Sequence, residues 1–290
     1  MTAPATPSEG HAPSAPPHAA APRGRPGGIL QRMDKGQIAR VIAVGSGKGG
    51  VGKSTVTALL ASELRRRGLA VGILDADITG PSIPKLLGMT GPLTDAGEGI
   101  EPATSRTGIP VVSSQFMVED EQAPVIWRGP LVTRLITQFF GGVHWGRLDY
   151  LLIDMPPGTS DVPLTVFQTI PIDGMVFVLT PQDLAVMIVK KAMNMARDLH
   201  VALLGVVENM SWIVCPHCGE KISLFGPGRV GKVADEYGIP LLSRLPIAPS
   251  VSELGDGGHL DEFASPELSG LADAFVAKVD EVTRGPGSML

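Results

Sequence analysis

Short, continuous apolar runs alternate along this chain with longer stretches whose apolar positions recur every three to four residues. Ile38–Val44, Ala70–Leu74, Tyr150–Ile153, Met175–Leu179, Val201–Val207 and Pro240–Leu245 are uninterrupted, as in parallel strands covered on both faces. Lys53–Arg67, Leu131–Phe140, Leu184–Leu199, Arg229–Tyr237 and Pro266–Val282 carry the helical period. That alternation predicts βαβ units and an α/β fold with a doubly wound, mostly parallel sheet. The stretch 76–129, rich in Gly, Pro and Thr, reads as switch loops plus an irregular insertion.

The first 28 residues break the pattern. Seven Pro, seven Ala and four Gly leave too little apolar area to offset the entropy of ordering. We therefore expect a disordered Pro/Ala-rich tail over residues 1–35 and one folded domain over 36–285. Arg23 and Arg25 suit a transit peptide, but the prolines break the amphipathic helix it needs. No apolar leader with a cleavage site follows the first residues, so nothing suggests secretion.

Composition narrows the function classes. With 43% hydrophobic but only 4% aromatic residues, the core must be built from Val, Ile, Leu, Ala and Met. Twenty-four basic against 29 acidic residues give a formal charge of −5, and Arg65–Arg67 is the only basic run. A nucleic-acid partner that reads a basic surface is not expected. The apolar runs fall far short of the roughly 20 residues a membrane span needs, so no membrane partner and a cytoplasmic location are expected.

Gly47-Lys48-Gly49-Gly50-Val51-Gly52-Lys53-Ser54 fits G-x-x-x-x-G-K-[ST] between a predicted strand and a predicted helix. Glycines let successive N–H groups turn toward phosphate oxygens, and the helix N-terminus adds positive potential. Gly47 to Ser54, with Thr55 next in the helix, are thus the expected nucleotide cradle, with Lys53 on the β- and γ-phosphates and Ser54 on Mg²⁺. Lys48 is a second lysine that an ordinary loop of this type does not need. It is either a solvated cation or a group that reaches a phosphate across a subunit interface, as an arginine finger does in trans.

Three carboxylates fall at predicted strand ends, where open α/β sheets bind ligands. Asp154 closes Leu151-Leu152-Ile153 and is the expected Mg²⁺ partner, with Pro156–Gly158 sensing the γ-phosphate. Asp75 and Asp77 follow Ile73-Leu74; Asp75 is assigned to the Mg²⁺ hydration shell and Asp77 to orienting the attacking water, with a loop cap as the other reading of either.

Cys215 and Cys218 are the chain's only cysteines. Thiols so close in sequence cannot staple a fold of this size, which leaves metal, cluster or redox chemistry. They follow a strand rather than opening a helix, which disfavours a dithiol oxidoreductase. They make half of a tetrahedral thiolate set, and an isologous homodimer would supply the other half, around either a [4Fe–4S] cluster or zinc. His217 between them reads as a solvated turn residue.

Taken together, the Gly47–Ser54 loop with Lys48, Asp75-Ala76-Asp77-Ile78 leading to Gly80-Pro81-Ser82, Trp127-Arg128-Gly129-Pro130, Asp154–Gly158, Glu208-Asn209-Met210-Ser211 and Cys215–Cys218 resemble the Mrp/ApbC-type iron–sulfur cluster carrier ATPases. These are deviant Walker-A P-loop NTPases, related to MinD, ParA and the nitrogenase iron protein, and the resemblance spans roughly residues 36–285. It implies a P-loop fold of that type and an ATP-hydrolysing homodimer. The dimer would bridge a labile [4Fe–4S] cluster through Cys215 and Cys218 and pass it to apo iron–sulfur proteins. It also implies that Lys48 is the signature lysine and that Asn209 hydrogen-bonds adenine; from its own surroundings in sequence, Asn209 reads as a turn residue. The chain departs from the family in its tail, which stands where many bacterial members carry a small domain. It departs again at Pro246-Ile247-Ala248-Pro249, where an Asp often follows the proline.

Other classes stay open on sequence. A ParA/MinD-like positioning ATPase would need a basic amphipathic last helix. Here Leu268, Leu271, Phe275, Val279 and Val282 form one stripe opposite Asp273, Lys278, Asp280 and Glu281, so that helix is expected to pack on its own sheet. A nitrogenase-iron-protein-like reductase would carry its cysteines far apart. A zinc-bridged P-loop dimer without cluster transfer remains an alternative.

Overall fold

The structure, a computed structural model, describes residues 33–283 apart from 79, 96, 98, 118–128, 159–160, 183 and 227. The tail through residue 32 and the Trp127-Arg128 pair lie outside the described residues. The strands are β1 (Ile38–Gly45), β2 (Val71–Asp75), β3 (Thr94–Asp95), β4 (Ile100–Glu101), β5 (Ala103–Thr104), β6 (Pro110–Ser113), β7 (Leu148–Asp154), β8 (Gly174–Leu179), β9 (Leu203–Glu208), β10 (Ile213–Val214), β11 (Lys221–Ile222) and β12 (Leu241–Arg244). The α-helices are α1 (Lys53–Arg66), α2 (Ile83–Leu86), α3 (Gly129–Gly141), α4 (Asp161–Thr169), α5 (Leu184–Asp198), α6 (Val230–Tyr237), α7 (Pro249–Asp256) and α8 (Pro266–Thr283).

Eight strands form one sheet in the order β12-β9-β8-β1-β7-β2-β6-β5, parallel throughout except for the antiparallel β5–β6 edge. Its continuous apolar strands supply both faces by simple alternation. Val41 and Ala43 join one core, with Phe139, Phe167 and Met193 from α3, α4 and α5; Ile42 and Val44 join the other, with Leu60 from α1 and Phe275 from α8. A sheet buried on both faces has no solvent side to signal by polarity, which is why its strands read as unbroken runs.

Every predicted strand and helix is found. The stretch expected to hold loops and an insertion also contributes β6, which pairs in register with β2. Pro110 and the short Val111-Val112 run hide that strand, because a parallel partner, not its own sequence, gives it its place. The stripe of α8 is buried through Leu268, Leu271, Phe275 and Val279, and Phe275 meets Tyr150 of β7 with ring centroids 5.4 Å apart. Among the described residues no helix is long and apolar enough to cross a membrane.

Phe275→Ala would open a void between α8 and the sheet that the rigid strands cannot close. We expect it to lower the unfolding free energy by about 3–5 kcal/mol, measured by denaturant titration; a loss under about 1 kcal/mol would show that α8 is not a core element.

Candidate functional site

The parallel register aligns polar residues across the C-terminal edge of the sheet. Val44 of β1 stands beside Asp154 of β7, Asp154 beside Asp75 of β2, and Asp75 beside Ser113 of β6. Asp154 and Asp75 have no solvent exposure. Two carboxylates side by side in such a place require a counter-charge, since an unpaired buried charge is costly.

That charge comes from the loop after β1. Gly52 takes a left-handed backbone, φ 79°, and a β-carbon there would stand 2.3 Å from Asn209 Nδ2. Gly47 is equally constrained, because a β-carbon would lie 2.6 Å from the Val189 backbone nitrogen of α5. The turn delivers Lys53 inward as the first residue of α1. Its Nζ donates to Asp154 Oδ2 at 2.6 Å and to Ser54 Oγ at 3.1 Å, and lies 3.6 Å from Asp77 Oδ2. Ser54 Oγ also donates to Asp154 Oδ2 at 2.6 Å, and Thr57 Oγ1 donates to Asp154 Oδ1 at 2.9 Å. Thr57 was not singled out from sequence, although it lies one helical turn after Lys53 on the same face.

Asp75 differs from Asp154 in having no lysine directly on it. Ser113 Oγ donates to its Oδ2 at 3.0 Å and the Asp77 amide to its Oδ1 at 3.2 Å. Burial first, and then the Asp154 charge, push its carboxyl up to about 8, against the opposing pull of Lys53. Lys53, Ser54, Asp75, Asp77 and Asp154 thus lie together at the C-terminal edge of the sheet. Pro156–Gly158 follows directly, with the Gly158 amide on the Ser46 carbonyl at 3.0 Å.

Lys48 is half-buried, and its Nζ donates to Gln182 Oε1 of the same chain at 3.1 Å. Asn209, buried, donates Nδ2 to the Val51 carbonyl at 3.0 Å. It borders a cavity of about 410 Å³ that opens beside Gly52 and Thr55 and is walled by Met210, Pro246, Ile247 and Val251. Residues 209–212 are held to the sheet by the Asn209 amide on Leu179, the Ser211 amide on Leu245 and the Ile247 amide on Trp212.

Cys215 and Cys218 stand apart from this cluster, at the turn of the antiparallel β10–β11 ribbon. The Cys215 amide donates to the Glu220 carbonyl and the Gly219 amide to the Cys215 carbonyl, closing the turn. Both thiols are free, with Cys218 exposed, and His217 is exposed between them. The Cys218 amide above all, then the His217 amide and the Cys218 thiol, pull the Cys215 thiol below its ordinary range. Among the described residues no three His, Cys, Asp or Glu side chains converge to hold a metal ion.

The oxygen donors Ser54, Asp154 and Asp75 suit a hard divalent cation, and the positive-φ glycines with Lys53 suit a polyphosphate. Comparison with known proteins shows the family. The family model described as ParA: NUBPL iron-transfer P-loop NTPase matches residues 37–282. The iron-sulfur cluster carrier protein of Methanocaldococcus jannaschii is 46% identical over 258 residues, covering 87% of this chain and 88% of that protein. That of Clostridium perfringens is 48% identical over 238 residues, covering 79% and 84%. A solved nucleotide-binding protein of Archaeoglobus fulgidus in complex with ADP superposes with a TM-score of 0.72 at 46% identity, covering 80% of this chain and 91% of that one. The MinD cell division ATPase of Pyrococcus furiosus shares the fold, with a TM-score of 0.59 at 24% identity, covering 85% and 99%.

Because the folded-state value of Asp75, about 8, lies above its ordinary 3.8, its contribution to stability is complete at low pH and is lost as pH rises toward the folded value. Asp75→Asn removes that titration. In Mg²⁺-free buffer its melting temperature should rise relative to the native protein between about pH 5 and about pH 8; a constant difference would show that Asp75 does not titrate there.

Proposed function

This chain belongs to the ParA family of NUBPL-type iron-transfer P-loop NTPases, and on that basis we propose that it is an ATP-hydrolysing carrier of iron–sulfur clusters. In this reading two copies hold a [4Fe–4S] cargo between their Cys215–Cys218 pairs and pass it to apo iron–sulfur proteins. The observation that carries it is that one edge of the sheet bears both the Lys53–Asp154–Asp75 cluster and the β10–β11 thiol ribbon.

Gly47 to Ser54 and Thr55 bind the ATP phosphates, Lys53 bridges the β- and γ-phosphates, and Asn209 faces adenine in the cavity walled by Met210 and Ile247. To receive phosphate, Lys53 turns from Asp154, leaving Ser54, Asp154 and Asp75 for Mg²⁺, which when bound neutralises charge on the phosphate oxygens. Asp77, 3.6 Å from Lys53, orients the water that attacks the γ-phosphorus while the bond to the ADP oxygen breaks, yielding ADP and inorganic phosphate. Lys48 leaves Gln182 and stabilises charge on the partner's nucleotide. Positioning and charge account for such a reaction without a protein nucleophile.

The homodimer is supported by where apolar side chains lie exposed among the described residues. Met117 follows β6; Leu131, Leu164 and Ile188 stand near the starts of α3, α4 and α5; Val214, Ile222, Leu224 and Phe225 flank the thiols. All belong to the C-terminal edge, which suits burial against a second copy. Two ligands per chain fit a shared cluster, and free thiols suit a reducing compartment such as the cytoplasm.

Anaerobic reconstitution with iron and sulfide tests the cargo. About four iron and four acid-labile sulfide per dimer are expected, lost in a Cys215→Ala/Cys218→Ala variant; stoichiometric zinc in their place would sink the carrier reading. Asp77→Ala should slow hydrolysis by on the order of 10²-fold with ATP affinity nearly unchanged, and a parallel loss of both would refute its water-orienting role.

A further inference from the structure

Glu208 is the one residue of Glu208-Asn209-Met210-Ser211 with a titratable side chain, and neither the nucleotide site nor the thiol pair uses it. It closes β9, is only 3% exposed, and braces both stems of the excursion that carries the thiols. On the outgoing stem Ser211 donates its hydroxyl to Glu208 Oε1 at 2.8 Å and shares it with the Glu208 carbonyl at 2.9 Å. On the return stem Gly228 lies so close that a β-carbon would stand 2.7 Å from Oε2. Arg244 of β12 reaches Oε1 at 3.3 Å. Oε2, buried, accepts no hydrogen bond among the described residues.

The residue after this brace touches the phosphate loop through its side chain. Asn209, the next residue, holds the Val51 carbonyl, and its Nδ2 is what fills the space a side chain at Gly52 would need. Met210 then takes φ 59°, a left-handed conformation that a side chain such as methionine adopts only under surrounding constraint. A shift of Asn209 would press on a backbone already constrained at Met210. On either side, Glu208 and Ser211 hold each other. A buried carboxylate oxygen without a donor is costly, and the Gly228 backbone lies close enough that its position bears directly on that oxygen. Such a brace favours discrete arrangements over continuous deformation.

We propose that Glu208 is a positioning residue that couples the phosphate loop to the thiol ribbon, so that nucleotide bound beside Asn209 alters the exposure of Cys215 and Cys218. This rests on the nucleotide-binding part of the function proposed above and requires no cluster.

The test is the rate of alkylation of Cys215 and Cys218 by iodoacetamide, followed by mass, in the full-length, reduced, metal-depleted protein with and without saturating MgATP, beside the ATP dissociation constant. In the native protein MgATP should change the rate about fivefold or more. Glu208→Ala should bring that ratio to about one, with ATP affinity held within about twofold. Glu208→Gln, which keeps an acceptor for Ser211, should retain the ratio. Gly228→Ala, whose β-carbon presses on Oε2 without changing charge, should lower it, and it serves if Glu208→Ala fails to fold. A native ratio of one, or an undiminished ratio in Glu208→Ala, would overturn the proposal. So would a loss of ATP affinity in step with the ratio, since Glu208 would then merely support the fold. Absence of ATP binding to the native protein would instead refute the nucleotide reading and take this coupling with it, whereas a failed iron reconstitution leaves it standing.

Discussion

One ammonium group, Lys53 Nζ, offsets the negative charge at the end of the central strands. The parallel register sets Asp154 and Asp75 side by side with no solvent access. In a low-dielectric interior two ionised neighbours are not tolerated together without compensation. The molecule meets this with two devices. Lys53 pairs directly with Asp154, and Asp75 holds its proton until about pH 8. The same charges suit the site to a phosphate–cation ligand; in the proposed function Lys53 exchanges a carboxylate for phosphate and the freed carboxylates hold a cation. Stability and the proposed binding would then draw on the same groups, which the left-handed turn at Gly52, closed by Asn209, brings together by aiming Lys53 inward.

Parallel topology concentrates chemistry on one edge. Each strand of the doubly wound core ends on that side, so the loops after β1, β2, β7 and β9 gather there whatever their separation in sequence. The thiol ribbon is an outgrowth of the β9 loop and inherits this position. The opposite role falls to α8 and the apolar stripe of the strands beneath it, which anchor the sheet and carry no candidate chemistry. Exposed apolar groups among the described residues likewise belong to the ligand edge, where a second chain would cover them in the proposed dimer.

Much of this was legible in the chain. Strands from Ile38, Ala70, Tyr150, Met175, Val201 and Pro240 announce themselves because burial on both faces demands unbroken apolar runs. The phosphate loop is legible because only glycine satisfies its backbone, so chemistry and spacing are inseparable. What escaped has a common cause. β6 is a short Val-Val run after a proline whose strand state comes from β2. Ser113 matters only because that pairing sets its hydroxyl on Asp75, and Gln182 only because its loop meets Lys48. Glu208 follows the predicted Val201–Val207 strand, and nothing near it in sequence discloses that Ser211, Gly228 and Arg244 converge on its carboxylate.

The sequence by itself determined the fold class, the phosphate loop, the acidic strand ends and the paired thiols, because each depends on interactions within a few residues or on a period that one strand or helix reveals. Tertiary structure alone decided that Asp75 and Asp154 are register partners, that a single lysine serves them, and that Glu208 stands beneath both stems of the thiol ribbon. Those are contacts between residues far apart in the chain. Local propensity carries no record of them, and they exist only once the sheet has closed and excluded water from its edge.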